Sequence, residues 1–160
     1  MSKLNFNLMQ TTSFEEALQQ ILAKEPRFHR DAYLFLRDAL DFTRKMLERE
    51  AKTDKSKRGT VPHPDKHVTP QQLLAGIREL ALETFGPMTM TVFEEWGVRA
   101  CHDFGDMVFI LVDNQLLKKT DKDSRADFEK GYDFYEAFRK PFLPSNRLAA
   151  TVSEPKTTSK

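Results

Sequence analysis

Apolar residues recur at helical spacing in several stretches of the chain, and the residues that flank each stretch supply start and stop signals. Ser13 followed by Glu16 forms a capping-box signature, after which Phe14, Ala17, Leu18, Ile21 and Leu22 mark one helical face. Pro26 sets the end of this first helix, because proline disfavours helical backbone in Glu25 and has no amide to donate. A longer helix is predicted over residues 28–50. It carries two adjacent stripes, Tyr33, Leu36, Leu40 and Leu47 beside Phe28, Ala32, Phe35, Ala39, Phe42 and Met46, and a face that wide needs more than one neighbour. The pattern collapses over residues 51–66, AKTDKSKRGTVPHPDK, which reads as a flexible basic linker. Thr69-Pro70-Gln71-Gln72 then restarts helix with a threonine cap, proline at the first helical position and glutamine at the third. Leu73, Leu74, Ile77, Leu80, Ala81 and Phe85 form its buried face, and Gly86-Pro87 ends it.

The remaining pattern, residues 91–134, organises the chain. A short helix carrying Val92, Phe93 and Trp96 stops at Gly97, where glycine can take the left-handed conformation of a sharp turn. A second helix is predicted from Asp103, read as its cap, to Asn114, with Asp106 adding charge at the positive end of the helix dipole. Leu116-Leu117 enters a strand, residues 121–125 supply turn chemistry, and residues 127–134 return antiparallel. Helix, turn, helix and hairpin in that order are those of a winged helix. One more helical turn is expected over residues 135–140, and residues 144–160 read as a disordered tail. The expected fold is therefore mainly α with one β-hairpin. A helical pair in residues 1–50 packs, across the linker, on a winged-helix-like unit in residues 67–143 to make one domain.

Composition narrows the class. A chain of 160 residues, 39% hydrophobic and 31% charged, can bury a core of its own. Its formal charge of +1 provides no global field to attract nucleic acid or an anionic membrane, so such partners would need a local patch. The single cysteine, Cys101, excludes an internal disulfide framework and fits a reducing, cytoplasmic setting. The N-terminal residues lack the apolar core of a signal peptide, and the apolar run over residues 107–112 is too short to cross a bilayer.

The segments KEPRFHRDAYLFLRDALDFTRK, HVTPQQLLAGIRELALETFGPMT, VFEEWGVRACHDFGDMVFILVDNQLLKKTDKDSRADF and YDFYEAFRKPF together resemble an uncharacterised bacterial protein family described mainly from Planctomycetes, Verrucomicrobia and Acidobacteria. The likeness covers most of residues 14–144. It implies a bacterial, cytoplasmic protein, and it brings no activity, ligand or catalytic residue with it.

Chemistry must then come from the residues themselves. The helix at 103–114 presents Asp103, Asp106 and Asp113 and no basic residue, so a polyanion would repel it, and its apolar majority marks a core helix. Candidate nucleic-acid contacts lie elsewhere: Lys52, Lys55, Lys57, Arg58 and Lys66 in or beside the linker, and Lys118, Lys119, Lys122 and Arg125 on the hairpin. Lys130 belongs to the same hairpin, where Asp121, Asp123, Asp127 and Glu129 alternate with the cations. Phe28, Phe35, Phe42, Phe85, Phe93, Phe104 and Phe109 fall on expected buried faces rather than on a base-stacking platform. His63, His67, Cys101 and His102 are metal-ligand types without metal-ligand spacing. Cys101 beside His102 lacks the accompanying elements of a nucleophile and base pair, and no phosphate loop, dinucleotide fingerprint or zinc-protease motif occurs. The reading is a non-enzymatic interaction module without cofactor or metal, most simply an adaptor for a protein partner. The alternative is a nucleic-acid or ribosome-associated protein that uses the linker and hairpin cations.

Overall fold

Thr69 starts the helix on which most of the others pack. Its hydroxyl accepts from the Gln72 amide at 3.2 Å while the Gln72 side chain accepts from the Thr69 amide at 2.9 Å, and Pro70 occupies the first helical position. The computed structural model describes residues 11–54, 68–117 and 124–144. Within them run α1 (Thr11–Lys24), α2 (Arg30–Asp54), α3 (Pro70–Phe85), α4 (Thr89–Glu95), α5 (Cys101–Asp113), α6 (Ala126–Glu129) and α7 (Phe134–Phe138), with single 3-10 turns at Gly86–Met88 and Lys140–Phe142. α3 packs against α2, α4, α6 and α7. Leu73, Leu74, Ile77 and Ala81 give it a buried face, as the periodicity predicts, with Leu80 and Phe85 half-buried at its margin.

One continuous core joins the helices on either side of residues 55–67. Phe14, Leu18 and Ile21 of α1, Tyr33, Leu36 and Leu40 of α2, Ile77 of α3, Phe104 and Leu111 of α5, and Phe138 of α7 belong to it. Phe93 of α4 is fully buried at an aromatic centre. Its ring lies 5.3 to 5.9 Å, centroid to centroid, from those of Phe35, Trp96, Phe104, Phe134 and Phe138. α5 is the core helix expected from its composition, with Phe104, Met107, Val108, Phe109 and Leu111 buried.

Several boundaries move. α1 begins at Thr11, so Ser13 lies inside its first turn rather than capping it. α2 begins at Arg30, after the buried Phe28, and runs to Asp54, four residues past the expected end. Lys52 is therefore an exposed residue of a helix rather than of a linker. Linker residues 55–66, and all but Pro144 of the tail expected over 144–160, lie outside the described residues.

The hairpin is the substantive correction. The described residues contain no strand, and a winged-helix-like unit is thereby excluded as the architecture. After α5 the chain turns back at Gln115, which takes φ 61°, and the Leu116 and Leu117 amides both donate to the Leu111 carbonyl at 2.9 and 3.3 Å. Leu117 is thus folded against its own helix and cannot run out as a strand. On the expected return strand, the Asp127 carboxylate accepts from the Ser124 amide at 2.9 Å and that of Asp133 accepts from the Glu136 amide at 3.1 Å, so each starts a helical turn. Phe128, Tyr132 and Phe134 read as alternating strand residues, yet Phe134, Ala137 and Phe138 bury at helical spacing. Among the described residues no helix is long and apolar enough to cross a membrane.

Candidate interaction groove

Asp103 does its capping backwards. α5 begins at Cys101, two residues earlier than expected, and its N-cap residue, Ala100, has no side-chain acceptor. The Asp103 carboxylate fills that role from the third helical position, accepting from the Arg99 amide at 2.8 Å and the Ala100 amide at 3.1 Å. Its other oxygen accepts from Arg27 at 2.6 Å, and the second guanidinium nitrogen of Arg27 donates to Asp106 at 2.8 Å. The hydrogen bond that Arg27 donates to Asp106, opposed by partial burial, holds its guanidinium above its ordinary pKa. Arg125 approaches the free side of Asp106 at 3.9 Å. Asp103 and Asp106 of α5 are therefore engaged by the chain's own arginines, and the cluster fastens the α1–α2 loop to α5.

That loop is held from two further directions. The His29 amide donates to the Trp96 carbonyl at 3.0 Å. Gly97 has φ 81°, and a β-carbon there would come 2.6 Å from the Arg27 carbonyl oxygen, so the expected glycine turn also makes room for the loop.

A second arrangement opens to solvent. Residues 130–132 form a strap that crosses the start of α5 beside α3. The Tyr132 hydroxyl donates to the Leu74 carbonyl at 2.7 Å, and the Cys101 thiol donates to the Tyr132 carbonyl at 3.2 Å. Gly131 passes so close that a β-carbon would lie 2.5 Å from the Cys101 sulfur and 3.0 Å from Leu74 Cδ1. Tyr132 stacks toward Phe134 and Phe138, and burial raises its hydroxyl pKa well above the ordinary value, so it stays protonated and donating. The strap is thus a fixed wall.

Between this wall and α3 lies a groove of about 500 Å³. α3 contributes Gln71, Leu74, Ala75, Arg78, Glu79 and Leu82, which recur three or four residues apart and so form one stripe along the helix. Ala75, Leu82 and the Tyr132 ring supply apolar surface over the buried Leu74 at its base, while Arg78 and Lys130 stand on opposite walls. Among the described residues neither cation forms an ion pair. In the sequence these residues carry no common signal: Gln71 belongs to a helix start, Leu74 to the core face and Lys130 to the expected hairpin. Only the α3 residues leave one, a second stripe beside the one that faces the core.

Among the described residues the candidates read from sequence do not converge. Lys55, Lys57, Arg58, Lys66, Lys118, Lys119 and Lys122 lie outside the described residues, as do His63, His67, Asp121 and Asp123. Lys52 is exposed at the end of α2, and Arg125 lies over the Phe109 ring, 5.2 Å from its centroid, as well as beside Asp106. Cys101 and His102 diverge: the thiol faces Tyr132, whereas the exposed imidazole lies 3.4 Å from Asp103. Burial pushes the Cys101 thiol up to about 11, which leaves it protonated and a poor nucleophile at neutral pH. Among the described residues no group of three or more His, Cys, Asp or Glu side chains is placed to hold a metal ion. No family model, curated protein or solved structure compared with the chain matches it.

Proposed function

We propose that this protein is a non-enzymatic interaction module, bacterial and cytoplasmic as its sequence suggests, which receives a protein partner in the groove between α3 and the strap at residues 130–132. The observation that carries the reading is the groove itself. A hydrogen-bonded wall, a helical stripe that exposes Ala75 and part of Leu82, and two cations without an ion pair among the described residues make a surface that is preorganised and partly apolar. Protein interfaces place apolar anchors inside a polar rim in this way, and a fixed wall spares the entropy of ordering it on binding.

A photo-crosslinking amino acid at Ala75, an exposed position at mid-groove, tests the proposal in extracts of the source organism. The same group at Gln20, exposed on α1, serves as the control. The expected result is one dominant polypeptide joined at position 75 and absent at position 20, which then binds the purified chain in solution. Equal labelling at both positions, or capture of nucleic acid at Ala75, counts against a protein interface in this groove.

A further inference from the structure

Resting on the reading of the groove as a protein interface, we propose that its occupant is a net-acidic amphipathic helix of the partner, laid along α3. Three features of the groove specify that chemistry. The stripe from Gln71 to Leu82 spans twelve residues of α3, whose eleven steps at ~1.5 Å each make roughly 16 Å, or three turns. Its companion is a helix of similar length whose own apolar ridge repeats at the same spacing. Ala75, exposed at the centre of the stripe, carries no side chain beyond its β-carbon and lets a second helix approach closely.

Charge sets the sign of the partner. Arg78 from the helix and Lys130 from the strap face the groove from opposite walls, with Glu79 the lone carboxylate among its lining residues. Neither cation is neutralised within the described chain, so carboxylates on both flanks of an incoming apolar ridge complete two ion pairs. An extended peptide has less to gain, because the groove walls are helix and turn and present no strand edge for main-chain pairing.

The test selects binders to the intact chain from a displayed library of random 16-residue peptides and measures the winners by fluorescence anisotropy at low salt. Enrichment of Asp and Glu beside Leu, Ile or Phe at three- and four-residue spacing is expected. Ala75→Trp, which fills the groove from an exposed helical position, should abolish binding while leaving the melting temperature in place. Arg78→Glu combined with Lys130→Glu should weaken binding at least tenfold, and peptides with Glu changed to Lys should regain it on that variant. Winners without carboxylates, no winners at all, or binding indifferent to the double reversal overturns the acidic-helix proposal. If a polypeptide is nevertheless crosslinked at Ala75 and withstands the reversal, the groove remains an interface and only its charge preference falls. Concentration-dependent dimerisation abolished by Ala75→Trp would replace the partner with a second copy. RNA retention lost on the double reversal would overturn both readings.

Discussion

Thr43 of α2 stands where a β-carbon on Gly76 of α3 would have to be. An added β-carbon would collide with Thr43 Oγ1 and lie 3.0 Å from Thr43 Cβ, and the buried threonine hydroxyl is fixed by donating to the Ala39 carbonyl at 2.7 Å. The two helices therefore approach each other more closely here than two side chains would permit. Gly76→Ala should destabilise the protein by about 1–3 kcal/mol, although alanine is the better helix former by about 1 kcal/mol. Thermal melts of Gly76→Ala, Thr43→Ala and the double variant check this. The alanine penalty should shrink when Thr43 is trimmed, and a stabilised Gly76→Ala would show that the crossing has slack.

Asp103 combines capping with ion pairing, and two substitutions separate the roles. Asp103→Asn keeps an oxygen for the Arg99 and Ala100 amides but loses the charge facing the half-exposed Arg27, so a loss of about 1 kcal/mol is expected. Asp103→Ala removes the acceptor as well and should cost about 2–4 kcal/mol. Denaturant melts that place the two variants together would rule out the capping role.

Tyr33 is fully buried, and its hydroxyl has no hydrogen-bond partner among the described residues. Burial, helped by Glu25, pushes its pKa up to about 12. Removing a polar group that no partner compensates is neutral or favourable, so Tyr33→Phe should match or exceed the parent in stability, by up to about 1–3 kcal/mol. A drop of the same size would reveal a partner for the hydroxyl and revise the packing beneath the α1–α2 loop.

Alkali should weaken the fold through Cys101. Burial raises the folded-state pKa of the thiol to about 11, so between the unfolded value near 9 and that figure the native state holds a proton that the unfolded chain has released. The stabilisation is fully present below pH ~9 and is lost as pH rises through ~11, a change on the order of 2 kcal/mol. Melting temperatures of the parent and Cys101→Ala from pH 8 to 11 check this. The parent should fall more steeply, and parallel curves would remove the thiol from the account.

Helical periodicity and caps make most of the core legible in the sequence alone. The Thr69-Pro70-Gln71-Gln72 start, the Gly97 turn and the apolar face of α5 all occupy their expected places because each depends on residues within one or two turns of one another. The hairpin failed where local signals were ambiguous. Aromatic residues at 128, 132 and 134 satisfy strand alternation, and only the carboxylates of Asp127 and Asp133, by binding amides three residues away, decide for helix. The groove was illegible for a different reason. Its opposite walls come from α3 and residues 130–132, and the bond from Tyr132 to Leu74 joins positions 58 apart in sequence.

The Arg27 fastening has a kinetic side. Its bonds to Asp103 and Asp106 bridge 76 and 79 positions, about half the chain, whereas helical proteins usually form from contacts between near neighbours. Closing so long a loop carries an entropic cost that the individual helices, each able to form locally, do not meet on their own. The order of events expected from this is helices first and the closing of the ring between the α1–α2 loop and α5 afterwards, a search step more typical of sheet proteins.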